Sequence, residues 1–184
     1  GAGTIYCRAV MNLGAIAENP LVEGDRLQSY RLASGALPRI ADAADPAPRF
    51  DLCAATLLQN RENDDGGSQM ARHWVMRVTY AFSTALISVF PHVGQGDAYA
   101  ALIGTMLRHL GDRDPEAMAQ IAAALGITGA QASEVPARIA ESMEAVFGSL
   151  GMTTRLSGLN IERERLSQVL ELSLKNFNAD PKRE

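Results

Sequence analysis

The sequence predicts an all-α fold, a single bundle of about seven to nine helices spanning residues 1–184. Three observations predict it. Apolar residues make up 47% of the chain, enough to fill a core and too many for a disordered segment. Alanine is abundant, whereas valine, isoleucine and aromatic residues are sparse, a balance that favours helix over sheet. Apolar positions recur at helical spacing between Gly, Pro and Asp punctuation, with no alternating run of useful length and no repeat.

The elements follow in order. A first helix covers about 4–17 and stops before Asn19-Pro20. A second covers 22 to about 43, with Tyr30, Ala33, Leu37 and Ile40 as its stripe and a kink expected at Pro38. Asp45-Pro46-Ala47-Pro48 reads as a turn. The third segment, to about 61, places Phe50, Cys53 and Leu57 on one face. Asn63-Asp64-Asp65-Gly66-Gly67 is the clearest loop; a solvated turn accounts for its two Asp residues better than a cation site does. Residues 74–90 form the longest apolar run and read as the central, most buried helix.

A further helix covers about 96–110. Asp114-Pro115-Glu116 then starts another, with Asp as cap, Pro at the first helical position and Gly126 at the end. Ser133-Glu134 opens a helix striped by Ile139, Met143, Val146, Phe147 and Leu150, and Gly151 ends it. Asn160 is the expected cap of the last helix, with Glu162 and Glu164 in its first turn and Lys175 in its last. The polar tail is Asp180-Pro181-Lys182-Arg183-Glu184.

Composition excludes several functions. The net charge is −4 and the arginines are scattered, so no basic stripe marks a nucleic-acid partner. The 74–90 run carries Arg77 and is too short to span a membrane. Gly1-Ala2-Gly3 offers no basic start for a signal peptide. Cys7 and Cys53 are too few and too distant for a disulfide framework. These features together point to a cytoplasmic protein with reduced thiols.

Motifs of common chemistry are missing. There is no Walker loop, no G-x-G-x-x-G and no C-x-x-C. Three histidines leave few acid/base candidates. His92 stands in Phe90-Pro91-His92-Val93-Gly94-Gln95-Gly96-Asp97, at a break in regular structure. A neutral imidazole there is a candidate metal ligand or acid/base, or else a helix-capping group bonded to backbone. His73, at the exposed start of the apolar helix, and His109, beside a loop, read as surface residues.

Four pieces of sequence carry a resemblance. They are Asn19-Pro20-Leu21 followed by Leu37-Pro38-Arg39, then Pro91-His92, then Gly151-Met152-Thr153-Thr154-Arg155-Leu156-Ser157, then Asn178-Ala179-Asp180-Pro181-Lys182. In this order the chain resembles the helical C-terminal domain of the iron-containing alcohol dehydrogenase family, which includes the maleylacetate reductases and shares its fold with dehydroquinate synthase-like proteins. The resemblance implies NAD(P), a divalent iron or zinc ion, and an N-terminal nucleotide-binding domain or subunit that this chain lacks. No cofactor is expected on the chain alone.

Residue by residue, the resemblance implies a degenerate metal site. The family's Asp and His ligands, one helical turn apart, fall on Thr4 and Arg8. The two histidines of its H-x-x-x-H stretch, the first of them a ligand, fall on Val78 and Phe82, so that only His92 matches. The expected pocket comprises Thr4, Arg8, Val78, Phe82, His92 and Asp97, with Asp97 placed to orient the imidazole or to bond helix amides. Cys7, beside Arg8, is a remote source of a thiolate. The expected function is the substrate side of an NAD(P)-dependent oxidoreductase, or alternatively a non-catalytic helical protein-interaction domain. A homo-oligomer is compatible with either.

Overall fold

Capping chemistry sets several of the helix limits in the computed structural model, which describes residues 1–17, 19–62, 64–67 and 73–176. Among these there are eight α-helices and no strand. The helices are α1 (Ala2–Asn12), α2 (Pro20–Ala36), α3 (Ala47–Arg61), α4 (Trp74–Val89), α5 (Gln95–Leu110), α6 (Pro115–Ala124), α7 (Val135–Ser149) and α8 (Leu166–Leu174). Asn19 Oδ1 accepts from the amides of Leu21 and Val22 and starts α2. Asp114 Oδ1 does the same for α6, accepting from Ala117 N at 3.1 Å. Gly126 and Gly151 adopt left-handed φ values of +71° and +72° just past α6 and α7, as helix-ending glycines do. Pro38 ends α2 rather than kinking it, and the chain continues as a 3-10 turn, Leu37–Arg39.

Three apolar clusters hold the helices together. One joins α1, α5, α6 and α7 through Tyr6, Ile103, Met118, Met143 and Phe147, with Tyr6 edge-on to Phe147 at 5.7 Å. A second joins α4, α5 and α8 around Leu86, Phe90, Leu102 and Val169. A third packs small residues of α1, α2 and α3: Ala9, Ala33, Ala36 and Ala55, with Leu52. α5 touches α1, α4 and α7.

Four further expectations need correction. α4 is not the single most buried helix. Ala81 and Leu86 are enclosed, but Tyr80 and Ser88 reach solvent and Phe82, Thr84 and Ile87 are half-buried, because α5, α8 and α1 leave one side of α4 open. The stripe of Phe50, Cys53 and Leu57 faces outward: Phe50 is 71% and Leu57 67% exposed. Polar bonds turn α3 the other way, with Gln59 Nε2 donating to Ile5 O at 2.9 Å and to Ser29 Oγ at 3.0 Å. Asn160 does not cap the last helix. It takes a left-handed φ of 53° in a turn, since Leu159 is pulled into the second cluster and α8 starts only at Leu166.

His73, expected at the surface, is buried. Its Nδ1 accepts from Val75 N at 3.2 Å and caps α4. Burial holds the imidazole below its ordinary 6.5, while Asp114, 3.8 Å from Nε2, pulls the other way. A depressed folded value means that the unfolded chain binds the proton first. The contribution to stability is therefore complete above 6.5 and is lost as the pH falls from there through the folded value. Urea midpoints should drop between about pH 7 and pH 5. His73→Asn keeps an acceptor for the Val75 amide without a titrating ring, and should flatten that drop. An unchanged profile in the variant would exclude His73 as its source.

Candidate functional site

α1, α4 and α5 pack on one another, and His92 lies in the link between α4 and α5. Thr4 and Arg8 on α1, Val78 and Phe82 on α4, and Asp97 on α5 thus belong to three mutually touching helices. The first turn of α1 abuts the start of α5: a Cβ on Gly3 would stand 3.3 Å from Gly96 O, so glycine is what allows this approach. The same contact sets Thr4 at the end of the bundle where the His92 link enters α5.

Each side chain has its own surroundings. Arg8 donates from Nη2 to Gln59 O at 2.7 Å and from Nη1 to Asn60 Oδ1 at 3.1 Å, placing a guanidinium at the C-terminal end of α3 where a helix favours positive charge. Thr4 Oγ1 is buried and has no hydrogen-bond partner. Val78 is buried, and Phe82 is half-buried against the second cluster. His92 is exposed, edge-on to Phe90 at 6.2 Å, with Nε2 3.3 Å from Leu159 O. A contact with a carbonyl requires the proton on Nε2, which leaves Nδ1 as the free lone pair. Asp97 lies in the first turn of α5, where helix amides attract a carboxylate. Its Oδ2 folds over Gly94, 2.6 Å from where a Cβ would stand.

Tyr99 was not among the residues singled out from sequence. Its hydroxyl is buried without a hydrogen-bond partner of normal geometry; the neighbouring Ser83 donates instead to Tyr80 O at 2.9 Å. Burial raises the phenol far above its ordinary range, and the positive charge of Arg8 acts in the opposite direction. The available signal was the spacing from Gly96, which puts Tyr99 on the α5 face turned toward α1. Cys7 is enclosed in the first cluster, and burial pushes its thiol well up, so it supplies no thiolate near neutral pH. Among the described residues, no three His, Cys, Asp or Glu side chains gather where a metal could be held. No helix among them is long and apolar enough to cross a membrane.

The profile of the Fe-containing alcohol dehydrogenase family, C-terminal, matches residues 9–183. No curated protein matches the chain. The final segment of the resemblance, 178–182, lies outside the described residues. The matched span takes in α2 to α8 and the end of α1 from Ala9, leaving Thr4 and Arg8 outside it, and its all-helical architecture is that of the family's C-terminal domain. The chain belongs to the Fe-containing alcohol dehydrogenase family, of which it forms the C-terminal helical domain.

Proposed function

We propose that this domain forms the substrate side of an NAD(P)-dependent oxidoreductase whose metal set has lost most of its ligands. Arg8 carries the reading. By the resemblance it falls on the position of a ligating histidine; it stays cationic at any accessible pH, and it is braced by Gln59 O and Asn60 Oδ1. A divalent ion beside that guanidinium would be repelled. The other positions offer a threonine hydroxyl, a valine with no donor atom, and His92. These residues do not fit iron or zinc, and no step is assigned to a metal here.

In this reading NAD(P), held by a separate nucleotide-binding domain or subunit, supplies the hydride. The chain's own residues bind and orient the substrate. Arg8 polarises the substrate oxygen or holds its carboxylate, a role that a fixed guanidinium performs best where water is excluded. Thr4, whose hydroxyl has no partner, donates to the same group. Val78 and Phe82 form the apolar wall, and His92 and Asp97 lie toward the rim.

A reductase screen of the full-length protein with NADH and NADPH against aldehydes and ketones tests this, with elemental analysis of the same sample. Turnover should survive chelation. Arg8→Ala should lower kcat/KM by about 100-fold or more, with Arg8→Lys intermediate and both variants checked for native melting. Turnover that tracks stoichiometric iron or zinc, or parental kinetics in Arg8→Ala, would overturn the assignment. The reading as a non-catalytic interaction domain has one observation in its favour, the exposed Phe50 and Leu57 on α3. A protein that reduces nothing, yet loses self-association when both become Ser, would establish it.

A further inference from the structure

One side of α3 is used inside the molecule. Leu52 and Ala55 pack with α1 and α2, and Gln59 bonds to both helices. The opposite side carries a second apolar line, made of Phe50, Cys53 and Leu57, and all three are exposed. Phe50 and Leu57 are seven positions apart, two helical turns, so both point the same way from the helix. A single exposed leucine needs no explanation, whereas two large apolar side chains in register form a surface.

The spacing of this line selects its partner. In a twofold symmetric, antiparallel pair of helices, positions equidistant from the axis meet across it. Phe50 and Leu57 are equidistant from the point between Cys53 and Ala54. An axis there sets Phe50 of each copy against Leu57 of the other. The residues beside the axis are small, Cys53 and Ala54, which lets the two helices come close.

Charge agrees with that pairing. No charged side chain lies on the line between Phe50 and Leu57. Arg61, half open to water, would stand about 22 Å along the helix from its own copy and level with Asp45 of the second copy. Arg49 is folded back onto the carbonyls of Asp42 and Asp45 at its own end. Antiparallel packing also brings the C-terminus of each α3 beside the N-terminus of the other, where their partial charges attract. One helix against its copy buries less than the ~800 Å² per partner of a standard interface, so the pair is weak and depends on concentration.

We propose that the outer face of α3 docks a second copy of this chain, antiparallel about an axis between Cys53 and Ala54. The contact is non-covalent and holds whether or not the domain reduces a substrate. Sedimentation equilibrium of the full chain in reducing buffer, from about 5 µM to 500 µM, tests it. The average mass should rise with concentration towards that of a dimer. Leu57→Asp leaves its charge in water in the monomer but sets it against Phe50 of the second copy in the dimer. It should weaken association roughly tenfold or more without changing the melting of the monomer.

The register is read with diamide, which takes up the two hydrogens of a thiol pair and leaves a disulfide. Cys7 is sealed in the core, so Cys53 is the reacting thiol, and the axis places it beside its own copy. The variant A47C/C53S moves the thiol to an exposed position about 20 Å from its copy. The parent should cross-link roughly tenfold faster than that variant. A chain that stays monomeric throughout, parental association in Leu57→Asp, or equal cross-linking of A47C/C53S would each overturn the proposal.

Discussion

Ala81→Asp should unfold the domain or bring it close to unfolding, at a cost of ~3–5 kcal/mol. Ala81 is fully buried on the inner side of α4, where that helix meets α5. A carboxylate there enters a fully enclosed position, with Arg77 one turn away as the nearest cation along the helix, and forcing it to protonate instead still strands a polar group out of water. The comparison variant is Ala81→Gly, which introduces no polarity and loses ~1 kcal/mol through helix propensity alone. Urea unfolding of the three proteins reads the difference. An Asp variant that melts within about 1 kcal/mol of the Gly variant would mean that α4 is not packed as described.

Removing one partner of the Arg26–Glu62 pair should cost nearly as much. Both side chains are almost entirely out of water. The guanidinium bonds Glu62 through Nε and Nη2, and its Nη1 donates to the carbonyls of Ala15 and Ile16 at 2.8 Å each. Glu62→Ala leaves a buried cation with its carboxylate gone, and ~3–5 kcal/mol is the usual loss. Arg26→Met with Glu62→Leu removes both charges together and should recover a large part of the loss, though not all, because the two carbonyls remain unmet. A double variant no better than the worse single variant would show that the two side chains act through separate contacts. The nearby Arg61–Asp25 pair, at 2.5 Å, is half open to water through Arg61 and should contribute far less.

How legible this fold was depended on the kind of signal. Asp114 was readable as a cap because it lies directly before a proline at the first helical position, whereas Asn19, in the same arrangement, was legible only as the stop of the first helix. Gly126 and Gly151 were readable because the left-handed ends of helices select glycine. The face of α3 was not. Phe50, Cys53 and Leu57 have correct helical spacing, yet Gln59 and Ala55 decide which side turns inward, through a side-chain amide that spans two other helices. Hydrophobic periodicity cannot register such a bond. Asn160 failed in a related way: a cap residue ahead of an apolar run looks the same whether the run starts a helix or anchors a turn.

For the candidate residues, the contact between the helices that carry them was legible, and their atomic surroundings were not. The spacing back from Pro91-His92 put Val78 and Phe82 on α4, and α4 does pack against both α1 and α5. The local environments were beyond reach, because each depends on residues distant in sequence. Arg8 is braced by residues 51 and 52 positions further along, and His92 approaches a carbonyl 67 positions away. Tyr99 carries no motif at all, and only the closeness of α1 and α5 makes its buried hydroxyl notable.

The two cysteines give the chain an internal clock for its own opening. Cys53 lies on the outer face of α3, while Cys7 is sealed between α1 and α5. A thiol reagent added to the native protein therefore modifies one sulfur at the rate of an open thiol. The second sulfur is modified only as often as the core parts around it. The ratio of the two rates reports the free energy of opening in plain buffer, with no dye, tag or denaturant. The reporter lies on α1, so it follows the helix that ties the first three helices to the rest.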